Sequence, residues 1–338
     1  MEGIPTLVYI SCDEPGFTRS RHGRGFMYKD EKGDKITDQG TLERIKKLVV
    51  PPQWKKVWIC PDPRGYLQCT GYDAEGRKQY LYHSDWSAYR QEEKFARMLS
   101  FGKKLPQISQ AYIKDMRRRG WPKRKVQALI VALLDEYYFR IGNRQYARKN
   151  NSYGITTIRR KHIQKDTKTL NLRYKAKSGK MRQVKISNPL VAKKIKELSE
   201  LPGHEVFRYR DEEGNYLCLD SKDVNGYLHE VTGEDFTAKD FRTWGGSKLA
   251  IEHYEATLQE MRENPRLKFE PTLVKKVALQ LGNTQAVCRK YYIHPRILKY
   301  LEEQAPAPLA SFIHGNIAMN DALDEYENYL IYLLKKVG

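Results

Sequence analysis

Tyr291 and Tyr292 stand near the end of a short basic stretch, residues 281–295, that opens on a Gly282-Asn283 turn. A phenol ionises near pH ~10 and can serve as an oxygen nucleophile. An amide some nine residues earlier in the chain could share its site. The aryl phosphoester that such a phenol forms with a nucleic-acid backbone conserves bond energy, so the attack can be reversed. Transesterification of a phosphodiester has two further needs: charge stabilisation on the two non-bridging oxygens, and a proton for the leaving 5′-oxygen. Arg140, just before Gly142-Asn143, and Arg242, on a helix opened by Thr237, offer planar, permanently charged forks for the first. Lys177, beside the Ser178-Gly179 turn, suits the second, because crowding by other cations readily lowers the pKa of a lysine. Asn283 adds a neutral hydrogen bond. Taken singly, each residue also has a structural reading: Arg140 beside Asp135 and Glu136, Arg242 beside Asp240, Lys177 as one hairpin lysine among many, the tyrosines as core aromatics. The set carries the chemical reading; no single member does.

The elements that would position these groups fall into two parts. Residues 1–88 read as strand-rich with one helix. Val57–Cys60 and Tyr66–Thr70 read as paired strands, and Thr41 as the cap of a helix through Leu48. A last strand, Arg77–Tyr82, places Lys78, Tyr80 and Tyr82 on one face by period-2 alternation. Ser84 then opens a long helix with Trp86, Tyr89, Phe95 and Leu99 at helical spacing. From residue 89 to 338 the pattern is mainly helical. Pro122 begins a helix whose middle, Val126–Leu134, is apolar almost all round and so central to a core. It is expected to run through Phe139 and deliver Arg140. A short strand is expected at Ile155–Ile158. Lys168–Tyr174 and Met181–Ile186 read as a hairpin with Lys177 at its tip. Further helices start at Asn188-Pro189, near Asp220 and at Thr237, the last expected to be loosened by Gly245-Gly246. Residues 320–336 read as an acidic amphipathic helix.

The bulk numbers favour a polyanionic partner. The chain has 338 residues, enough for two cores, and a formal net charge of +20. So basic a chain most often meets nucleic acid. The run of lysines and arginines from 101 to 130, set against Asp115 alone, reads as a phosphate-facing surface. No run of about 18 apolar residues is present, so no membrane is expected as a partner. The Met-Glu-Gly-Ile-Pro start lacks the basic and apolar regions of a secretory leader, so a cytoplasmic location is expected. The five cysteines are odd in number and form no C-x-x-C pair, which argues against a disulfide framework and a structural zinc. H-E-x-x-H, D-x-D and Walker A motifs are all missing, so no cofactor and no metal are expected.

Five segments in order resemble a type IB DNA topoisomerase of the small poxviral and bacterial kind. They are Gly71–Tyr82, Phe139–Tyr146, Lys175–Gly179, Lys239–Trp244 and the 281–295 stretch. The resemblance covers nearly the whole chain. It implies an α+β protein with a small β-rich N-terminal clamp domain (1–88) and a larger, mostly helical catalytic domain (89–338) whose β-hairpin carries the general acid. It implies relaxation of positive and negative supercoils in double-stranded DNA, by a nick held as a 3′-phosphotyrosyl intermediate, without ATP or metal. Tyr292, the second of the pair at the family's spacing, matches the nucleophile. Arg140 and Arg242 match the two phosphate-binding arginines, and Lys177 the general acid. Gln79, Tyr80, Tyr82 and Tyr146 match DNA-contacting positions. Asn283 stands where poxviral enzymes have His, which resembles bacterial members. A monomer closing as a C-shaped clamp on DNA, associated with the nucleoid, is the implied working form. Two alternatives stand beside it. One is a tyrosine recombinase, which shares the fold and chemistry but places His three residues before the second arginine, where this chain has Lys239. The other is a non-catalytic DNA-binding protein.

Overall fold

The computed structural model describes residues 6–165, 169–313, 317 and 319–337. The readings of Met1–Pro5 as no leader and of Lys168 as a strand start lie outside the described residues. The chain forms two compact units, Met1–Lys94 and Phe95–Gly338.

The first unit is built on an antiparallel five-stranded sheet in the order β2-β1-β3-β4-β5. Its strands are β1 (Phe17–His22), β2 (Gly25–Lys29), β3 (Lys55–Ile59), β4 (Leu67–Tyr72) and β5 (Lys78–Tyr82). Helix α1 (Gln39–Lys47) contributes Ile45 to a small core with Val57, Ile59 and Cys69. Its cap is Asp38, whose carboxylate accepts from the Thr41 amide at 2.7 Å; Thr41 itself lies inside the helix. A carboxylate reaches the first free amides of a helix and favours its positive end, so the earlier residue wins the cap. As expected, β5 shows one aromatic face: the Tyr80 and Tyr82 rings stack with centroids 6.2 Å apart, and the Lys78 ammonium lies 5.8 Å from the Tyr80 ring. The long helix expected from Ser84 is two helices, α2 (Ser84–Ala96) and α3 (Met98–Asp115).

The second unit is mainly helical. Helix α4 (Lys123–Tyr137) is buried continuously from Lys125 to Leu134 and forms its axis. After α5 (Arg144–Asn150) comes an antiparallel sheet of β6 (Ile163–Lys165), β7 (Leu170–Lys175) and β8 (Met181–Ile186), ordered β6-β7-β8. Ile155–Thr157 is a 3-10 turn and not the expected strand. Then follow α6 (Pro189–Ser199), the strand pair β9 (Arg208–Arg210) and β10 (Tyr216–Cys218), and α7 (Ser221–Thr232). Helices α8 (Ala238–Glu252), α9 (Tyr254–Glu263), α10 (Phe269–Leu281), α11 (Gln285–Tyr291), α12 (Pro295–Gln304), α13 (Leu309–Phe312) and α14 (Glu325–Val337) complete it.

Three readings are corrected here. Helix α4 stops at Tyr137, because Tyr138 turns left-handed (φ 54°). Gly245 and Gly246 do not loosen α8, which runs unbroken through them. They serve close packing instead: a Cβ on Gly245 would lie 2.3 Å from the Tyr138 ring. The basic run near residue 120 is partly internal. Arg118 and Arg124 meet the buried Asp115 carboxylate at 2.7 and 2.9 Å. Lys125 donates to the carbonyls of Arg118 and Gly120 at 2.6 and 2.8 Å, and Lys123 pairs with Asp223 at 2.5 Å. Arg118, Arg124 and Lys125 thus tie the α3–α4 corner together, and Lys123 ties α4 to Asp223 of α7.

Candidate active site

Four of the residues singled out by type come together inside the second unit. Arg140 follows the left-handed break after α4. Arg242 lies one turn into α8, whose start is fixed by a capping box: the Thr237 side chain accepts from the Lys239 amide while Asp240 reaches back to Thr237. Gly282 ends α10 in the left-handed region (φ 64°), which an L side chain disfavours, and so aims Asn283 back at the arginines. Thr284 caps α11, and Tyr292 follows at that helix's end.

Asn283 is the hub. Its Oδ1 accepts from Arg140 Nη2 and, at 3.3 Å, from Arg242 Nη2. Arg140 Nη2 also donates to the Gly282 carbonyl at 3.0 Å. Arg242, only 3% exposed, donates to the Leu281 carbonyl at 3.0 Å and to the Tyr138 carbonyl. Asn283 Nδ2 and Arg242 Nε are buried without a hydrogen-bond partner among the described residues. Among the described residues, none of the acceptors around these two guanidinium groups is a carboxylate; each is a neutral oxygen. Largely desolvated cations left in this state favour an incoming anion, since its charge relieves both their desolvation and their mutual repulsion.

The Arg242 guanidinium carbon lies 5.0 Å from the centre of the Tyr292 ring. Burial pushes that phenol up, but the charges of Arg242, Arg140 and Lys239 outweigh burial and hold it below the ordinary phenol value. Burial, followed by the Arg242 charge, lowers the Arg140 guanidinium to about 10, which leaves it charged at neutral pH. Gly246 sets the height of the tyrosine: a Cβ there would come within 2.4 Å of the Tyr292 carbonyl oxygen. The Ser247 hydroxyl then takes the His294 amide at 2.9 Å and fixes the chain just past the phenol. Tyr291 is 41% exposed.

Residues 83–308 match the family Eukaryotic DNA topoisomerase I, catalytic core, and residues 25–73 match Bacterial DNA topoisomerase IB, N-terminal domain. A DNA topoisomerase 1B of Acanthamoeba polyphaga mimivirus is 34% identical over 289 residues, covering 82% of this chain and 85% of the relative. The chain belongs to the type IB DNA topoisomerase family. More distant relatives include a DNA topoisomerase 1 of rabbit fibroma virus (strain Kasza), 21% identical over 82% of this chain and 90% of its own length. Vaccinia virus (strain Copenhagen) DNA topoisomerase 1B is 20% identical over 70% of this chain and 72% of its own length.

The remaining residues picked out by resemblance to type IB topoisomerases make none of the hydrogen bonds of this cluster among the described residues. Lys177 is exposed in the turn between β7 and β8, where Ser178 (φ 63°) and Gly179 (φ 74°) are left-handed. Its neighbours Ala176 and Lys180 line a cleft of about 680 Å³ that Gly282 and Asn283 also line. Gln79 Nε2 donates to Asp73 Oδ2 at 2.8 Å on β5 of the first unit. Tyr80 and Tyr82 are each 45% exposed, and Tyr146 on α5 is 49% exposed. Two contributors escaped the sequence reading. Gly246 reads locally as a helix defect, because a close approach from a distant segment leaves no local trace. Arg182 left a signal that could have found it: by alternation it shares the inward face of β8 with Val184 and Ile186, an odd place for a cation.

Proposed function

We propose that this chain relaxes positive and negative supercoils by reversible transesterification at a single DNA phosphodiester. Tyr292 gives up its phenol proton to solvent, and its Oη forms the bond to phosphorus as the bond to the 5′-oxygen breaks, leaving a 3′-phosphotyrosyl linkage. Arg140 and Arg242 grip the non-bridging oxygens, and Asn283 Nδ2 donates to one of them. Lys177 gives its proton to the 5′-oxygen. The nicked strand swivels, and the 5′-hydroxyl then returns to the phosphorus and releases the tyrosine. The energy of the broken bond is kept in the phosphotyrosyl ester, so neither ATP nor a metal is required. Duplex DNA is the partner, held as in a clamp to which the N-terminal domain contributes Gln79, Tyr80 and Tyr82 and the catalytic domain Tyr146. The protein works as a monomer in the cytoplasm, on the nucleoid.

The observation that carries this reading is the unfilled donor set. The buried Arg242 guanidinium, the half-buried one of Arg140 and the Asn283 amide meet beside a phenol whose ionisation the arginines favour. Such preorganised donors are worth most where charge develops in the transition state. The test is relaxation of supercoiled plasmid in EDTA without ATP. Relaxed topoisomers are expected. Plasmid that is bound yet stays supercoiled would show that the site is not catalytic.

A further inference from the structure

A third guanidinium group lies beside the cradle, and the mechanism above does not use it. Arg182 is the second residue of β8, only 8% exposed, and paired in register with Tyr174 of β7. Its Nη2 donates to the Tyr137 carbonyl at 3.0 Å, and its Nη1 reaches the Tyr138 carbonyl at 3.4 Å. The guanidinium carbon lies 5.2 Å from the centre of the Phe139 ring. These carbonyls end α4, where a helix leaves acceptors without internal partners and a cation is favoured. The Tyr138 carbonyl is also the acceptor for Arg242 Nη1. One oxygen therefore joins the phosphate-gripping helix α8 to the strand that returns from the Lys177 turn. Arg182 also backs the Asn283 turn: a Cβ on Gly282 would lie 3.5 Å from its Cδ.

We propose that Arg182 is a positioning residue that registers the β7–β8 hairpin, and with it Lys177, against the Arg140–Arg242 cradle. The proposal rests on the reading of Lys177 as the proton donor. Lys177 stands at an exposed tip, so where its ammonium can reach is decided where β7 and β8 leave the turn, at the Lys175–Met181 and Tyr174–Arg182 pairs. Arg182 is the residue there that is bonded to the cradle's own scaffold. A simple cap on α4 would steady the fold and nothing more. A positioning role has a further consequence: loss of Arg182 should matter most when the leaving oxygen needs a proton.

The test uses the full chain and a duplex that the wild-type protein cleaves, made with either a bridging 5′-oxygen or a bridging 5′-sulfur at the mapped scissile phosphate. A thiolate leaves without protonation. Arg182→Gln is expected to cut the oxygen substrate about a hundred-fold more slowly, the scale on which a small misplacement acts. On the sulfur substrate it should come within a few-fold of wild type. Equal slowing on both substrates overturns the proposal. Should Arg182→Gln not fold, Arg182→Lys decides. Its single ammonium cannot bridge both carbonyls, so a smaller defect with the same leaving-group dependence is expected, and a wild-type rate on the oxygen substrate overturns the assignment. Lys177→Ala run alongside separates two failures. If sulfur rescues Lys177→Ala but not the Arg182 variant, the Arg182 assignment alone falls. If sulfur does not rescue Lys177→Ala, the proton-donor reading falls and takes the assignment with it.

Discussion

The cradle and the hairpin tip are built in opposite ways. Arg242 is 3% exposed, and both cradle arginines are tied to neutral oxygens through one shared amide. Lys177 is exposed on a turn that two left-handed residues make tight. The group proposed to stabilise developing charge is set in place before any substrate arrives, which would remove reorganisation from the reaction step. The group proposed to move a proton rides on an arm whose aim depends on strand register. Damage to the two should therefore look different: the cradle ought to lose activity and stability together, the tip activity alone.

The largest effect is expected in the cradle. Arg242→Ala should slow single-turnover DNA cleavage by about 10²–10³-fold, the usual cost of one oxyanion-type donor. It should also cost ~1–3 kcal/mol of stability, because the Leu281 and Tyr138 carbonyls lose a buried donor. A loss below tenfold would mean that the cradle does not stabilise the charge. Lys177→Ala comes next, with cleavage slowed ~10²-fold as for other proton donors and a thermal midpoint that stays where it was. A drop in midpoint of the size seen for Arg242→Ala would erase the contrast between the two regions. Gly246→Ala extends the comparison to the seat of the nucleophile. Its Cβ would overlap the Tyr292 backbone, so a stability loss of ~1–3 kcal/mol is expected, together with slower cleavage. Gly226→Ala on α7, which meets nothing within 4 Å, should be harmless, and chemical denaturation of both variants gives the check. The smallest effect is on pH. The arginine charges favour the Tyr292 phenolate, so the cleavage rate should rise with pH and level off below the ordinary phenol value of ~10. Removing the Arg140 charge by Arg140→Ala should move that levelling-off upward, and an unmoved profile would show that the phenol does not sense the cradle.

How much of this was legible in the sequence follows from the range of each interaction. The β5 face, the buried middle of α4, the return strand β8 and the Thr237 box are local patterns of period or cap, and they stand as read. The left-handed stop at Tyr138 escaped because the apolar and aromatic run continues past the point where tertiary contacts end the helix. Gly245-Gly246 misled for the same reason: propensity alone reads a glycine pair as weakness, whereas here both positions admit a ring and a backbone from elsewhere. In the basic run near residue 120, charge counting cannot see that Asp115 and two backbone carbonyls already hold three of its cations. The resemblance named Asn283 as a phosphate donor. The structure adds that its oxygen is occupied by both arginines while its Nδ2 is left unpaired, an arrangement between distant segments that no single stretch encodes.

The central claim is that the cradle serves Tyr292 and not its neighbour. The direct measurement is to stop the reaction with plasmid DNA in denaturant, digest the protein and the DNA, and locate the peptide that carries the nucleotide remnant. The account predicts one modified residue, Tyr292, with the adduct abolished by Tyr292→Phe and retained by Tyr291→Phe. A remnant on Tyr291, or an adduct that survives Tyr292→Phe, would contradict it.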